Sequence, residues 1–181
     1  PHNRVCRLYN WAVWANGVLV LVLGPVYVLL LLFESVMRER PFWERLIHTY
    51  TQSSADVSAG LLNVGGEHVT RSGTLITGRT FGVEVKNGCN GVEALFFLAA
   101  AMIAFEAPVR WRLAGVIVGS LVIEVLNIVR VASLYLIGAM RPDLFETFHL
   151  AIWQTVILGA AVFMFVYWTP RVQRLDAANA R

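Results

Sequence analysis

Three residues that could together perform acyl transfer occur at well-separated positions in the chain. Cys89 lies in the turn-forming run Asn-Gly-Cys-Asn-Gly, Arg130 lies within a long apolar block, and His149 precedes another. A cysteine becomes a nucleophile when a helix N-terminus, a cation or an adjacent base favours its thiolate. A histidine can take the thiol proton and return it to a leaving amine, whereas an arginine stays protonated and can stabilise negative charge. The three types together predict covalent acyl transfer if the fold brings them together.

Four further polar residues are candidates for supporting roles: Asn90, Glu93, Glu124 and Asn127. Asn127 is three residues before Arg130 and therefore shares its helix face. Glu93 follows Cys89 by four residues, and its charge would oppose a thiolate unless Arg130 neutralises it. Burying an arginine in a membrane costs at least about 2.5–3.5 kcal/mol. A pair between Arg130 and either Glu124 or Glu93 is therefore an alternative, purely structural explanation of the buried charge.

The composition is typical of a membrane protein. Of 181 residues, 57% are apolar and only 15% are charged, whereas about 25% charged residues are usual in a soluble domain. The basic residues are not clustered on one element, which argues against nucleic-acid binding. Two cysteines, Cys6 and Cys89, are too few for a disulfide framework or a zinc site. We predict a single membrane domain over residues 1–181.

Long apolar runs predict four transmembrane helices, at about residues 11–33, 91–109, 113–139 and 150–168, of which the first and the last are free of charged residues. The first run follows two arginines, as in a signal peptide, but it is too long and lacks a small-residue cleavage site. We therefore predict that it is an anchor. The second has a charge-free core of only 12 residues, so the span has to begin near Val92 and extend to about Val109. We predict that His149 begins the fourth span and that Pro170 ends it.

The polar segment at residues 34–88 predicts two small elements. Phe42 to Leu62 is a partly amphipathic helix that could lie on the membrane and end at Gly65-Gly66. Its apolar residues are Leu46, Ile47, Tyr50, Val57, Leu61 and Leu62. Thr74 to Val85 predicts a β-hairpin with Gly78-Arg79 as a two-residue turn. Its second strand alternates Phe81, Val83 and Val85 with small or polar residues, so one face should pack against an apolar surface.

The arginines near the spans predict the orientation of the chain. Three groups lie on the same side of a four-span protein and should be cytoplasmic: Arg4 and Arg7, Arg110 and Arg112, and Arg171, Arg174 and Arg181. Arg38, Arg40 and Arg45 disagree with this assignment. With both termini in the cytoplasm, Cys89, Arg130 and His149 all fall in the outer half of the membrane. The fold class is then an all-α polytopic membrane protein with four transmembrane helices. An extracytoplasmic amphipathic helix and a small β-hairpin lie between the first two spans.

The ordered motifs resemble those of the exosortase/archaeosortase family. These motifs are Cys-Asn-Gly at residues 89–91 before an apolar helix, Asn-Ile-Val-Arg at residues 127–130 inside the next span, and His149 at the start of the last. The hairpin that leads into the cysteine is also similar, and the likeness covers roughly residues 55–168. The short length and the run around Cys89 look most like the exosortase H subtype. The chain departs from larger members in having fewer spans and in carrying Asn90 where many have serine.

The resemblance implies a membrane cysteine transpeptidase or protease of the bacterial inner membrane. Its partners would be exported proteins that carry a C-terminal motif, a transmembrane segment and a basic tail, within a lipid environment. Cys89 would be the nucleophile, His149 the acid and base, and Arg130 the transition-state stabiliser. The resemblance implies no metal and no organic cofactor. The acceptor stays open, with a lipid- or glycan-linked amine as one candidate. Two alternatives also stay open, a small transporter with Glu124 and Arg130 as a buried relay, and a non-catalytic assembly subunit.

Overall fold

The computed structural model describes residue 28, residues 41–86 and residues 88–179. The described part is mostly helical and contains one small sheet. Its elements, in chain order, are α1 (Pro41–Val64), β1 (Thr70–Ser72), β2 (Leu75–Thr77), β3 (Gly82–Glu84), α2 (Val92–Ala104), α3 (Val109–Met140), α4 (Pro142–Glu146), a π-helical turn (Thr147–Ile152) and α5 (Trp153–Asn179). The predicted span at residues 11–33 lies outside the described residues, apart from Val28.

Two long apolar helices dominate the described structure. They are α3, which has 32 residues, and the continuous helix from Pro142 to Asp176. At about 1.5 Å per residue, α3 is roughly 48 Å long, which exceeds a bilayer core of about 30 Å. The prediction that Pro170 ends the last helix is wrong, because α5 continues through it. A proline inside a helix removes one backbone donor at a cost of about 3 kcal/mol, and the helix on both sides of it continues.

The helix α2 is shorter than the predicted second span. It begins at Val92, as expected, but it ends at Ala104 and does not extend to Val109. Pro108 disfavours helical geometry in the residue before it, and it caps the next helix instead. The Arg112 side chain donates to the carbonyl of Ile103 at 3.1 Å, which satisfies one of the open carbonyls at the end of α2. With 13 residues, or about 20 Å, α2 alone is too short to cross a bilayer.

The helices α2, α3 and α5 pack together around one apolar cluster. Its buried members are Leu98, Ala101, Met102, Ile123, Ile157, Ala161 and Phe165. A Cβ atom added to Gly119 of α3 would overlap the side chain of Leu98, so glycine permits the close approach of α2. Small residues have this role wherever transmembrane helices are in close contact. The packing fixes the depth at which α2 begins relative to α3.

The helix α1 packs against α3 and the sheet, and the apolar residues of its predicted amphipathic pattern mostly face away from this contact. Its buried residues are mostly small: Thr51, Ser54, Ala55, Ser58, Ala59 and Leu62. Leu46, Val57 and Leu61 are largely exposed. The predicted end at Gly65-Gly66 is confirmed, because Gly66 adopts φ +94° and the last carbonyls accept from Gly66 and Glu67.

The predicted hairpin is present, as part of a three-stranded antiparallel sheet in the order β1-β2-β3. Ile76 lies opposite Val83 in the β2–β3 pair. The connection is longer than the predicted two-residue turn and runs from residue 78 to 81, closed by a bond from Gly78 N–H to the Phe81 carbonyl. Val83 and Val85 are buried, and Phe81 packs on the same cluster, which confirms the predicted apolar face. The strand β1 was not predicted.

Candidate active site

The loop before α2 holds Cys89 in a defined position. Gly88 and Gly91 both adopt positive φ, at +89° and +77°, a region that other residues rarely enter. The Cys89 N–H donates to the Lys86 carbonyl at 2.9 Å, which closes a turn between β3 and the cysteine. The helix α2 begins three residues after Cys89, so the thiol lies close to a helix N-terminus, where partial positive charge favours an anion.

Asn90 fixes the same loop to α1. The Asn90 side chain is buried, and its amide donates to the Thr51 hydroxyl at 3.1 Å. Its carbonyl oxygen accepts from the Val92 N–H at 3.3 Å, within the first turn of α2. Asn90 therefore positions the residue next to it, and its hydrogen bonds give it a structural reason to be an asparagine. Thr51 thus supports the cysteine loop, and no sequence pattern singled it out.

Arg130 lies on α3 beside the cysteine loop and is 3% exposed. Its Nη2 atom donates to the backbone carbonyl of His149 at 3.2 Å. Its Nε atom has no hydrogen-bond partner among the described residues. Cys89 and Glu93 are both close enough to interact electrostatically with its guanidinium group. The arginine therefore links α3 to the last helix and places a positive charge near the thiol.

His149, which we predicted to begin the fourth span, lies in the π-helical turn of a continuous helix that begins earlier, at Pro142. The sulfur of Cys89 and Nε2 of His149 are 2.8 Å apart, although 60 residues separate them in the chain. The Phe145 ring lies beside the imidazole, with ring centroids 5.6 Å apart. Single π-helical turns inside α-helices occur frequently at functional sites, because the extra residue redirects a side chain. Here the turn interrupts the helix where the imidazole meets the thiol.

A cavity of ≈ 310 Å³ opens at this contact. Cys89, Arg130 and His149 all line it, together with Val131 and Leu134 of α3, Phe145 of α4, and residues 81–86. The half-exposed thiol is thus accessible from a cavity large enough for part of a peptide. The lining by residues 81–86 places one edge of the sheet at the site.

Of the predicted supporting residues, Asn90, Glu93 and Asn127 lie beside the cysteine loop, whereas Glu124 contacts α1. Glu93 Oε1 lies close to Gly88, at 3.9 Å from the position of an added Cβ atom. Glu124 accepts hydrogen bonds from Tyr50 and Ser54 of α1. In the part of the chain that the structure describes, Arg130 forms no ion pair with either glutamate. The proposed structural pair of Glu124 with Arg130 is therefore not found there, which removes the main support for a buried relay.

Asn127 packs under the cysteine loop. A Cβ atom added to Gly91 would lie 3.4 Å from Cγ of Asn127, so the glycine also leaves space for this side chain. Asn127 is fully buried, and neither atom of its amide has a hydrogen-bond partner among the described residues. Its position on the Arg130 face agrees with the predicted spacing of three residues.

Comparison with known proteins assigns the family. No curated protein and no solved structure matches the chain. A protein family described as transmembrane exosortase (Exosortase_EpsH) matches residues 4–168, and this span includes every element from α1 to the apolar part of α5 as well as all three candidate catalytic residues. The match confirms the family that the motifs indicated. The protein is therefore a membrane protein that belongs to the transmembrane exosortase family.

Proposed function

We propose that the protein is a cysteine transpeptidase that cleaves a C-terminal sorting signal of exported proteins. The observation that carries the proposal is the 2.8 Å contact between Cys89 Sγ and His149 Nε2, at the wall of a cavity that Arg130 also lines. A thiol in contact with an imidazole and close to a guanidinium is the arrangement that thiolate catalysis requires. Membership of the exosortase family supports the same assignment.

In the proposed reaction, His149 Nε2 accepts the proton of Cys89 and the thiolate attacks the carbonyl carbon of the scissile peptide bond. The negative charge on the resulting tetrahedral oxygen is stabilised by the Arg130 guanidinium. The intermediate collapses with cleavage of the C–N bond. The downstream segment leaves as an amine after taking the proton from His149. The upstream part remains as a thioester on Cys89, and an acceptor amine then attacks it and restores the thiol. Water in place of the amine would give hydrolysis.

We propose a four-span arrangement that places this chemistry at the extracytoplasmic face of a bacterial inner membrane, with both termini in the cytoplasm. The predicted span at 11–33, α2 with its flanking residues, α3 and α5 would be the four membrane segments. The transmembrane segment of the substrate would pack beside them and fix its motif at the outer boundary. Such positioning converts a bimolecular encounter into a nearly unimolecular one.

The test is processing of an exported reporter that ends in a motif, an apolar span and a basic tail. The full-length protein would be co-expressed with the reporter, and cleavage followed by the size of the reporter in membranes. Cys89→Ala is expected to abolish processing while the variant accumulates normally. The matched control is Cys6→Ser, which removes the other cysteine and should process at the wild-type rate. Processing by Cys89→Ala would contradict the proposal.

A further inference from the structure

The strand β3 presents an open edge to the cavity. The sheet order β1-β2-β3 leaves one side of β3 without a neighbouring strand in the described part of the chain. Side chains of a strand alternate between its two faces. Six consecutive residues, 81–86, nevertheless line the same cavity. A strand can do this when its edge, and not one of its faces, points into the cavity.

The hydrogen-bond register shows which backbone groups are free at that edge. Val85 N–H donates to the Thr74 carbonyl, and Gly78 N–H donates to the Phe81 carbonyl. Backbone groups of an antiparallel strand point alternately to the two sides. Phe81, Val83 and Val85 therefore bond with β2, and the N–H and C=O groups of Gly82 and Glu84 point away from β2 on the side of the cavity.

The direction of β3 relative to α3 is also fixed. At one end, the Phe81 ring lies against Gly138 of α3. At the other end, the loop that follows β3 reaches Gly91, which contacts Asn127 of α3. Eleven residues of helix separate these two contacts, or about 16 Å. Hence β3 runs antiparallel to α3 and leads toward Cys89. In the proposed orientation it runs from the outside toward the membrane.

We propose that the extended peptide of the sorting signal binds as an additional strand alongside β3, parallel to it. An exported substrate has its folded part outside and its transmembrane segment downstream, so its motif also runs inward. Residues upstream of the cleavage site then pair with Gly82 and Glu84, and the scissile carbonyl reaches Cys89 where the strand ends. Addition of a strand to an exposed sheet edge is a common mode of peptide recognition. This inference rests on the proposed function, because it requires a peptide substrate.

The wall opposite the edge suits this occupant. Arg130, Val131 and Leu134 of α3 form one side of the cavity, and Phe145 and His149 form another. A strand of three residues extends about 10 Å, so the peptide would contact apolar side chains upstream and the catalytic groups at its end. Main-chain hydrogen bonds would supply affinity, and the apolar wall would select the side chains of the motif.

Gly82→Pro tests the pairing, with Gly82→Ala as the matched control. Proline removes the Gly82 N–H on the free edge and leaves the bonds to β2 intact. A Cβ atom at Gly82 has its nearest neighbour at 3.6 Å, so alanine fits. Gly82→Pro should lower reporter processing by about tenfold or more, because the lost backbone hydrogen bond leaves a buried carbonyl of the bound peptide unpaired. Gly82→Ala keeps this N–H and should therefore lower processing much less than Gly82→Pro does.

The two proposals can be distinguished by these results. If the wild-type protein does not process any such reporter, the proposed function fails and the strand inference fails with it. If the wild type processes the reporter and Gly82→Pro does so equally well, the strand inference alone is wrong.

Cross-linking provides a second measurement that does not depend on turnover or on the folding of the proline variant. In a Cys6→Ser, Cys89→Ser background, either Gly82→Cys or Glu84→Cys is paired with single cysteines placed along the reporter. If the peptide binds parallel to β3, each enzyme cysteine should have one preferred reporter position. The position preferred by Gly82→Cys should lie two residues closer to the N-terminus of the reporter than the position preferred by Glu84→Cys. A shift in the opposite direction, or no preferred position, would overturn the inference.

Discussion

The thiol and the imidazole of the candidate site are in direct contact, and the backbone explains how they remain so. Cys89 is held by two glycines at positive φ, and His149 is held by an interrupted helix and by the Arg130 side chain. Apart from Arg130, these supports do not act on the reacting atoms themselves. Substitutions at the supports therefore test whether the geometry, as distinct from the residue types, produces activity.

Arg130 has a shape that lysine cannot reproduce. Its planar group donates to the His149 carbonyl while lying close to the thiol, and a lysine offers one compact charge at the end of a flexible stem. Arg130→Lys should therefore lower reporter processing by about tenfold or more, with normal accumulation in membranes. The matched control is Arg110→Lys, at an exposed position near the start of α3. Wild-type processing by Arg130→Lys would show that charge alone suffices.

Gly91 has both a backbone and a steric reason to be glycine. Its φ is +77°, and a Cβ atom would lie 3.4 Å from Asn127. Gly91→Ala should lower the free energy of unfolding of the purified protein by about 1–2 kcal/mol and should slow reporter processing. Gly60→Ala, at a helical position of α1 with open space around it, should instead raise stability by about 0.5–1 kcal/mol. Equal effects of the two substitutions would contradict this explanation.

At the scale of elements, α1 packs through a face that its sequence pattern did not single out. The pattern predicts a partly amphipathic helix that could lie on the membrane; Leu46, Val57 and Leu61 are largely exposed, and mostly small residues form the buried face. Periodicity finds the apolar side of a helix but does not show whether that side faces protein or lipid. In membranes the close contacts are formed by small residues, since apolar side chains gain little by leaving lipid.

Glu124 is the polar contact that joins α1 to α3. Tyr50 and Ser54 both donate to its carboxylate. Burial, together with the neighbouring carboxylate, raises the pKa of Tyr50, so the phenol stays protonated and can donate. This network explains the glutamate within α3 without Arg130.

Ser54→Ala should destabilise the protein by about 1–3 kcal/mol, because it removes a donor to a charged group. Ser53→Ala is the matched control, since the neighbouring hydroxyl is exposed and bonds only to its own helix, at the Thr49 carbonyl. It should change stability by less than about 0.5 kcal/mol. Thermal unfolding of the purified variants measures both. If Ser54→Ala were as stable as Ser53→Ala, the contact would not hold α1 in place.

The helices and the strand that carry the site could be predicted from the sequence better than the contacts between them. The start of α2, the three-residue spacing of Asn127 and Arg130, and the apolar face of β3 all follow from local patterns. The π-helical turn and the partners of Glu124 do not, because each depends on contacts between distant segments. Pro170 shows the opposite failure, since a strong local signal for a helix end does not end α5, which continues to Asn179.

At the scale of the whole molecule, the four-span arrangement predicts where each end of the site can be reached. Cys89 should react with a membrane-impermeant maleimide in intact cells, in a Cys6→Ser background that leaves it as the single thiol. A reporter fused to the C-terminus should be accessible only from the cytoplasm. Labelling of Cys89 only after the membrane is permeabilised would contradict the orientation.

The central claim is that Cys89 forms a covalent bond with the upstream part of a peptide substrate. Its most direct test is mass spectrometry of the full-length protein purified with its reporter after rapid acid quenching, when the acyl-enzyme should be present. We expect a thioester that maps to Cys89, that hydroxylamine releases and that is missing from the Cys89→Ala variant. Processing of the reporter without any adduct on Cys89, or with an adduct on another residue, would contradict it.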